Sequence, residues 1–290
     1  MRRRAVIAGC CLALGLSPGC AAARLRRDRA AETPEAVSIR RDLRQAASAA
    51  MDRGDHAQAR ADLEQLIGQS PRSAELHYLL GKVLQSQGEL PPAEASYRRA
   101  LAIEPQYVGA LIGLGQVAAR LGRPAEALGR FDTAIEFDPH QAEAQFARGE
   151  VLETLGRADD ALAAYFHALD IDPASAPAMI RVAALQLDRG KPDQALVRLD
   201  QAVELSPGDE PEIRYRRGLA YLAMHRPEDA ARDLEFAAGR LPDRAEVFLS
   251  LAQAMDACRK PDEARRAFAR ALTLRPDLRV APDRSERLRR

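Results

Sequence analysis

The sequence predicts an all-α protein, a solenoid of tandem helical hairpins. Three observations predict it. A unit of 34 residues returns seven times between Arg40 and Leu278. Within six of the seven copies, alanines recur seven residues apart, a spacing that places both on one helical face. A proline closes every copy.

The units span 40–73, 74–107, 108–141, 142–175, 176–209, 211–244 and 245–278, with one extra residue before the sixth. Column numbers below count from the first residue of each unit. Column 20 is Ala59, Ala93, Ala127, Ala161, Ala195, Ala230 and Ala264. Column 27 is Leu66, then Ala100, Ala134, Ala168, Ala202, Ala237 and Ala271. Small residues there let two helices approach closely. Column 24 is large: Leu63, Tyr97, Phe131, Tyr165, Leu199, Leu234 and Phe268. It fills the space that the alanines leave.

Column 15 is Gly54, Gly88, Gly122, Gly156 and Gly190, then His225 and Arg259. Glycine there takes the left-handed conformation that closes a first helix. Pro124, Pro192, Pro227 and Pro261 follow two residues on, suited to open a second helix. Column 32 is Pro71, Pro105, Pro139, Pro173, Pro207, Pro242 and Pro276, each ending that second helix. One such hairpin cannot bury its apolar face alone; its neighbours supply the rest of the core.

These columns resemble the tetratricopeptide repeat family. The family's apolar column 7 and small column 8 stand as Leu80-Gly81, Leu114-Gly115 and Leu251-Ala252. Arg148 and Arg217 depart from it at column 7, and no unit carries the family's Trp at column 4. The resemblance implies a right-handed superhelix whose first helices line a concave groove, with columns 2, 5, 9 and 12 facing it. Column 5 is Arg44, Tyr78, Ile112, Phe146, Ile180, Tyr215 and Leu249. Either it offers anchors to a peptide or it packs against neighbouring helices.

Units five and six add an apolar stretch of Ile180, Ala184, Leu187, Tyr215, Leu219 and Leu222. Glu143, Glu150 and Glu153 make unit four acidic. Apolar side chains beside carboxylates suit an amphipathic or extended partner segment with basic residues, although acidic helix faces are often only solvated. The family's carboxylate clamp and its asparagine ladder both need Asn, and the chain contains none.

The amino terminus reads as an address. Arg2, Arg3 and Arg4 precede an uncharged run from Ala5 to Leu16, the pattern of a secretory signal peptide. The run is shorter than the ~20 residues that span a bilayer. "LSPGC" ending at Cys20 resembles a bacterial lipobox, so residues 1–20 are expected to be removed and Cys20 to carry lipid. Ser17-Pro18 departs from that pattern; "IAGC" before Cys10 fits it better but leaves a short apolar run. Cleavage after Ala21-Ala22-Ala23, giving a soluble exported protein, and a retained cytoplasmic terminus are the alternatives. Residues 21–39 read as a tether and 279–290 as a short basic tail. By resemblance to Gram-negative lipoproteins, Ala21 after the lipid site favours the outer membrane, facing the periplasm.

Composition excludes several functions. Lys and Arg number 43 and Asp and Glu 42, a balance unlike that of nucleic-acid binders. The five histidines are scattered, no two at ligand spacing on a helix, so no metal site is expected. No glycine-rich phosphate loop or Gly-x-Ser-x-Gly elbow is present, so no cofactor and no enzymatic activity are expected. Cys258, the one cysteine beyond residue 20, reads as a small packed hydrophobe. The expected function is a protein-binding scaffold resembling tetratricopeptide lipoproteins that assist pilus, secretion or envelope assembly. A soluble adaptor in regulation and a substrate-docking array for a separate enzyme are the other readings. Its only membrane link would be the lipid.

Overall fold

A computed structural model describes residues 45–205 and 210–277. Cys20, the leader, the tether, the start of the first unit and the basic tail lie outside the described residues, as does Pro207. The chain divides into two compact units, residues 1–103 and 104–290. Fourteen helices and no strand occur among the described residues.

In the first compact unit, α1 covers 45–52, α2 His56–Gln69, α3 Ala74–Ser86 and α4 Leu90–Ile103. In the second, α5 is Val108–Arg120, α6 Pro124–Phe137, α7 Ala142–Thr154, α8 Ala158–Ile171 and α9 Ala176–Asp188. Then follow α10 Pro192–Leu205, α11 Pro211–Ala223, α12 Pro227–Arg240, α13 Ala245–Ala257 and α14 Pro261–Leu274. Six first helices begin on the residue that opens a repeat, so the 34-residue register is the structural register.

The punctuation works as backbone chemistry requires. Gly54, Gly88, Gly122, Gly156 and Gly190 have φ between 66° and 79°. His225 and Arg259 hold the same turn at φ 56° and 59°. Second helices end two residues before Pro71, Pro105, Pro139, Pro173, Pro242 and Pro276. Pro124, Pro192, Pro227 and Pro261 open α6, α10, α12 and α14, where a missing amide hydrogen costs nothing. Asp159-Asp160 and Glu228-Asp229 sit in first turns, where carboxylates complement the helix dipole.

Columns 20, 24 and 27 form the core. All seven column-20 alanines are fully buried, and no column-24 or column-27 side chain exceeds 2% exposure. Column 8 explains the tightness. A Cβ on Gly81, Gly115, Gly149 or Gly218 would lie 2.5–2.6 Å from Tyr97, Phe131, Tyr165 or Leu234 of the same hairpin. In these four hairpins the large residue of the second helix thus rests on bare backbone of the first.

Arg148 and Arg217, the two departures at column 7, are ion-pair partners of the preceding repeat. Arg148 Nε lies 2.8 Å from Asp132, and Arg217 Nη1 lies 2.9 Å from Asp200; both aspartates occupy column 25. Arg217 also grips Asp233 through Nε at 2.6 Å and Nη2 at 3.0 Å, and Arg214 Nη1 donates to Asp233 at 2.8 Å. Asp233 is 2% exposed and fully hydrogen-bonded, which is how a buried carboxylate is tolerated.

Candidate functional site

In the second compact unit successive first helices touch one another: α5 with α7, α9 with α11, and α11 with α13. No two second helices there pack to that extent. The first helices therefore form the closer-set layer, and their columns 2, 5, 9 and 12 are the candidate binding face.

Column 5 splits on inspection. Ile112 and Tyr215 are buried, at 3% and 8% exposure. Tyr215 belongs to the core of repeats six and seven. The Arg244 guanidinium covers its ring at 4.8 Å and is itself paired to Glu212. Phe146 and Ile180 are half-buried on the core of repeats four to six, and the Phe146 ring lies 5.5 Å from that of Tyr165. In the first compact unit Tyr78 is half-buried 6.1 Å from Tyr97, with Lys82 Nζ 5.8 Å from its ring centre. Leu187, Leu219 and Leu222, at columns 9 and 12, are half-buried and keep an open side.

The acidic residues do different work. Gln116 Nε2 donates to Glu143 at 2.9 Å, tying α5 to α7. The Tyr165 hydroxyl donates to Glu153 at 3.0 Å, and Arg181 closes the triangle at 3.1 Å from Glu153 and 3.3 Å from the hydroxyl. Burial, only partly offset by Arg181, pushes the Tyr165 phenol up. Glu150, one turn before Glu153, has no hydrogen-bond partner among the described residues. Glu150 is an exposed residue, but partial desolvation of its carboxyl pushes it above the usual range; Arg181 opposes this and the repulsion of Glu153 adds to it. On the next repeat but one, burial would push Glu212 up, but hydrogen bonds from Arg216 and Arg244 prevail and hold it down.

Sequence reasoning missed a pairing between columns 12 and 24. Tyr97 donates to Gln85 at 2.7 Å as Tyr165 does to Glu153. Where column 24 lacks a hydroxyl, at Leu63, Phe131, Leu199 and Leu234, column 12 is Met51, Ala119, Leu187 and Leu222; the exception is Asp256, whose hairpin has Phe268. Reading the two columns together would have found it.

Among the described residues no group of three or more His, Cys, Asp or Glu could hold a metal ion. No described helix is long and apolar enough to cross a membrane. The Cys258 thiol is half-buried against the repeat-seven core, and burial pushes it up. The arrangement offers apolar side chains, an unpartnered carboxylate at Glu150 and fixed ion pairs, which is binding chemistry.

A family model described as tetratricopeptide repeat matches residues 44–108, 112–176 and 215–279; a second of the same description matches 152–217. Over 59 residues the chain is 37% identical to the probable biofilm formation methyltransferase WspC of Pseudomonas putida, covering 20% of this chain and 14% of that relative. The fold resembles that of PilW, described as a widely conserved type IV pilus biogenesis factor, with a TM-score of 0.64 and 20% identity over 75% of this chain and 98% of the other. It also resembles YrrB, described as having an unusual peptide-binding site, with a TM-score of 0.54 and 19% identity over 62% of this chain and 93% of the other.

Proposed function

The chain belongs to the tetratricopeptide repeat family, and from that premise we propose that it is a non-enzymatic scaffold of the cell envelope. A lipid on Cys20 anchors it to the outer membrane. Its first-helix face binds a peptide segment or partner protein during pilus, secretion or envelope assembly. One observation carries the binding role. Leu187, Leu219 and Leu222 lie half-open on neighbouring first helices, and the unpartnered Glu150 sits two repeats before the last of them. Apolar contact supplies affinity there and the carboxylate selects for basic residues. The lipobox-like "LSPGC" supports the anchor, and the fold shared with a pilus biogenesis factor supports the setting. The short match to a protein named as a methyltransferase favours a second reading, an array that docks substrates for a separate enzyme.

The test is capture from envelope extracts with the full chain. Leu187→Ala with Leu219→Ala should abolish partner recovery while the helical circular dichroism is retained. Full recovery by that folded variant rejects the face. Cys20→Ser should move the protein to the soluble fraction; unchanged membrane association rejects the anchor. Stable attachment requires more than one acyl chain, since a single chain binds only marginally.

A further inference from the structure

A cleft of about 470 Å³ opens between the α11–α12 turn and the carboxyl-terminal half of α13. Leu222 and Pro227 form its apolar wall, and His225, Gln253 and Asp256 bring polar groups into it. The volume lies within the ~300–1,000 Å³ range of ligand sites, and a few converging polar groups on an apolar wall are their usual lining.

Two independent features mark this cleft. The first is Asp256. Polar residues at column 12 otherwise serve the column-24 hydroxyl of their own hairpin, as Gln85 serves Tyr97 and Glu153 serves Tyr165. Asp256 faces a hairpin whose column 24 is Phe268, which has no hydroxyl to offer. Its carboxylate has no hydrogen-bond or ion-pair partner among the described residues, and neither have the side chains of Gln253 and His225. The second is His225. Five repeats place glycine at this turn; here a bulky residue is held at φ 56°, and its side chain lines the cleft. Arg259 holds the same turn in the next repeat at φ 59°, so what marks His225 is that its unpartnered side chain lines the cleft.

The surrounding charge selects the sign of the ligand. Glu228, Glu235 and Glu263 act on Cys258, two residues from Asp256, in the direction of negative potential and Lys260 against them, while Arg259, whose amide donates to the Asp256 carbonyl, adds a second cation at this turn. Lys260 is paired to Glu263 at 3.4 Å, and Arg226 to Asp229 at 2.6 Å. Asp256 also sits in the last turn of α13, where carbonyl dipoles favour a cation.

We propose that this cleft holds a cationic side chain, arginine or lysine, of a partner peptide. The alkyl stem lies on Leu222 and Pro227, and the charge meets Asp256, with Gln253 accepting a further hydrogen bond. The proposal rests on the scaffold reading and names the chemistry that one end of the face would select.

The test uses the full chain and three capped tripeptides: acetyl-Leu-Arg-Leu-amide, its neutral citrulline counterpart and acetyl-Leu-Glu-Leu-amide. Calorimetric titration should show the arginine peptide binding about tenfold tighter than the citrulline peptide, the worth of one partly desolvated charge pair. The arginine peptide should shift the imidazole resonances of His225, and the glutamate peptide should not bind. Asp256→Asn should erase the preference. His225→Gly should raise the melting temperature yet weaken the arginine peptide. Equal binding of the arginine and citrulline peptides overturns the proposal, and that comparison needs no variant to fold. Partner capture that survives Asp256→Asn but fails in the Leu187→Ala, Leu219→Ala variant also overturns it, and leaves the scaffold reading standing.

Discussion

A Cβ on Gly149 would lie 2.6 Å from Cε1 of Tyr165. The aromatic ring of the second helix is seated on the bare backbone of the first. Gly149→Ala should therefore cost ~1–3 kcal/mol, because ring or helix must move in a close-packed core. Gly239 is also helical but has nothing within 4 Å of its Cβ position. Gly239→Ala should stabilise by ~0.5–1 kcal/mol through lower backbone entropy in the unfolded chain. Urea unfolding of the two variants should give shifts of opposite sign.

Ala161 is fully buried and Ala163 is exposed. Ala161→Leu should overpack the hairpin by ~1–3 kcal/mol, while Ala163→Leu should stay within about 0.5 kcal/mol of the parent. Equal shifts in thermal unfolding would contradict the face assignment.

Arg259 holds the left-handed turn at φ 59° where five other repeats use glycine. Arg259→Gly should gain on the order of 1 kcal/mol, and Gly156→Arg, at φ 72°, should lose a similar amount. Reciprocal shifts in denaturation midpoint check this.

Arg148 and Arg217 occupy the same column but should not weigh the same. Asp233, the carboxylate gripped by Arg217, has a side chain only 3% exposed, whereas Asp132, the partner of Arg148, is 52% exposed. Arg217→Leu should cost up to ~3–5 kcal/mol by leaving the buried Asp233 with Arg214 as its remaining cation. Arg148→Leu should cost at most ~1 kcal/mol, since solvent screens that pair. A double-mutant cycle on Arg217 and Asp233 should show strong coupling, and one on Arg148 and Asp132 little.

Glu150 links stability to pH. Partial desolvation, reinforced by Glu153 and opposed by Arg181, raises its folded-state pKa above the unfolded value of about 4.3. A carboxyl raised on folding contributes most below the unfolded pKa, and that contribution is lost as pH rises through the folded pKa. Glu150→Gln should therefore stabilise the protein at neutral pH, flatten its stability profile just above pH ~4.3, and weaken partner capture. Urea midpoints measured across that acid range, together with capture yields, test both halves.

The hairpin register was legible in the sequence because it rests on rules local to the backbone. Proline cannot continue a helix, glycine alone turns left without strain, and alanines seven apart share a face. Columns 15, 20, 24, 27 and 32 obey those rules within one hairpin, so the pattern needs no knowledge of what packs above or below. Even His225 and Arg259 kept the glycine turn, since the hairpin around them over-determines it.

Tertiary structure decided what each face could offer. Tyr215 read as a groove anchor, but Arg244 of the following loop lies over its ring and Glu212 holds that arginine in place. Arg217 read as a departure from an apolar column, but it joins aspartates 17 residues before it and 16 after it. Asp256 stands apart because Phe268, on the other helix of its hairpin, lacks the hydroxyl found on Tyr97 and Tyr165. Helical periodicity fixes which way a side chain points. Whether that side chain ends as core, ion pair or open carboxylate depends on desolvation by atoms that arrive from a different helix.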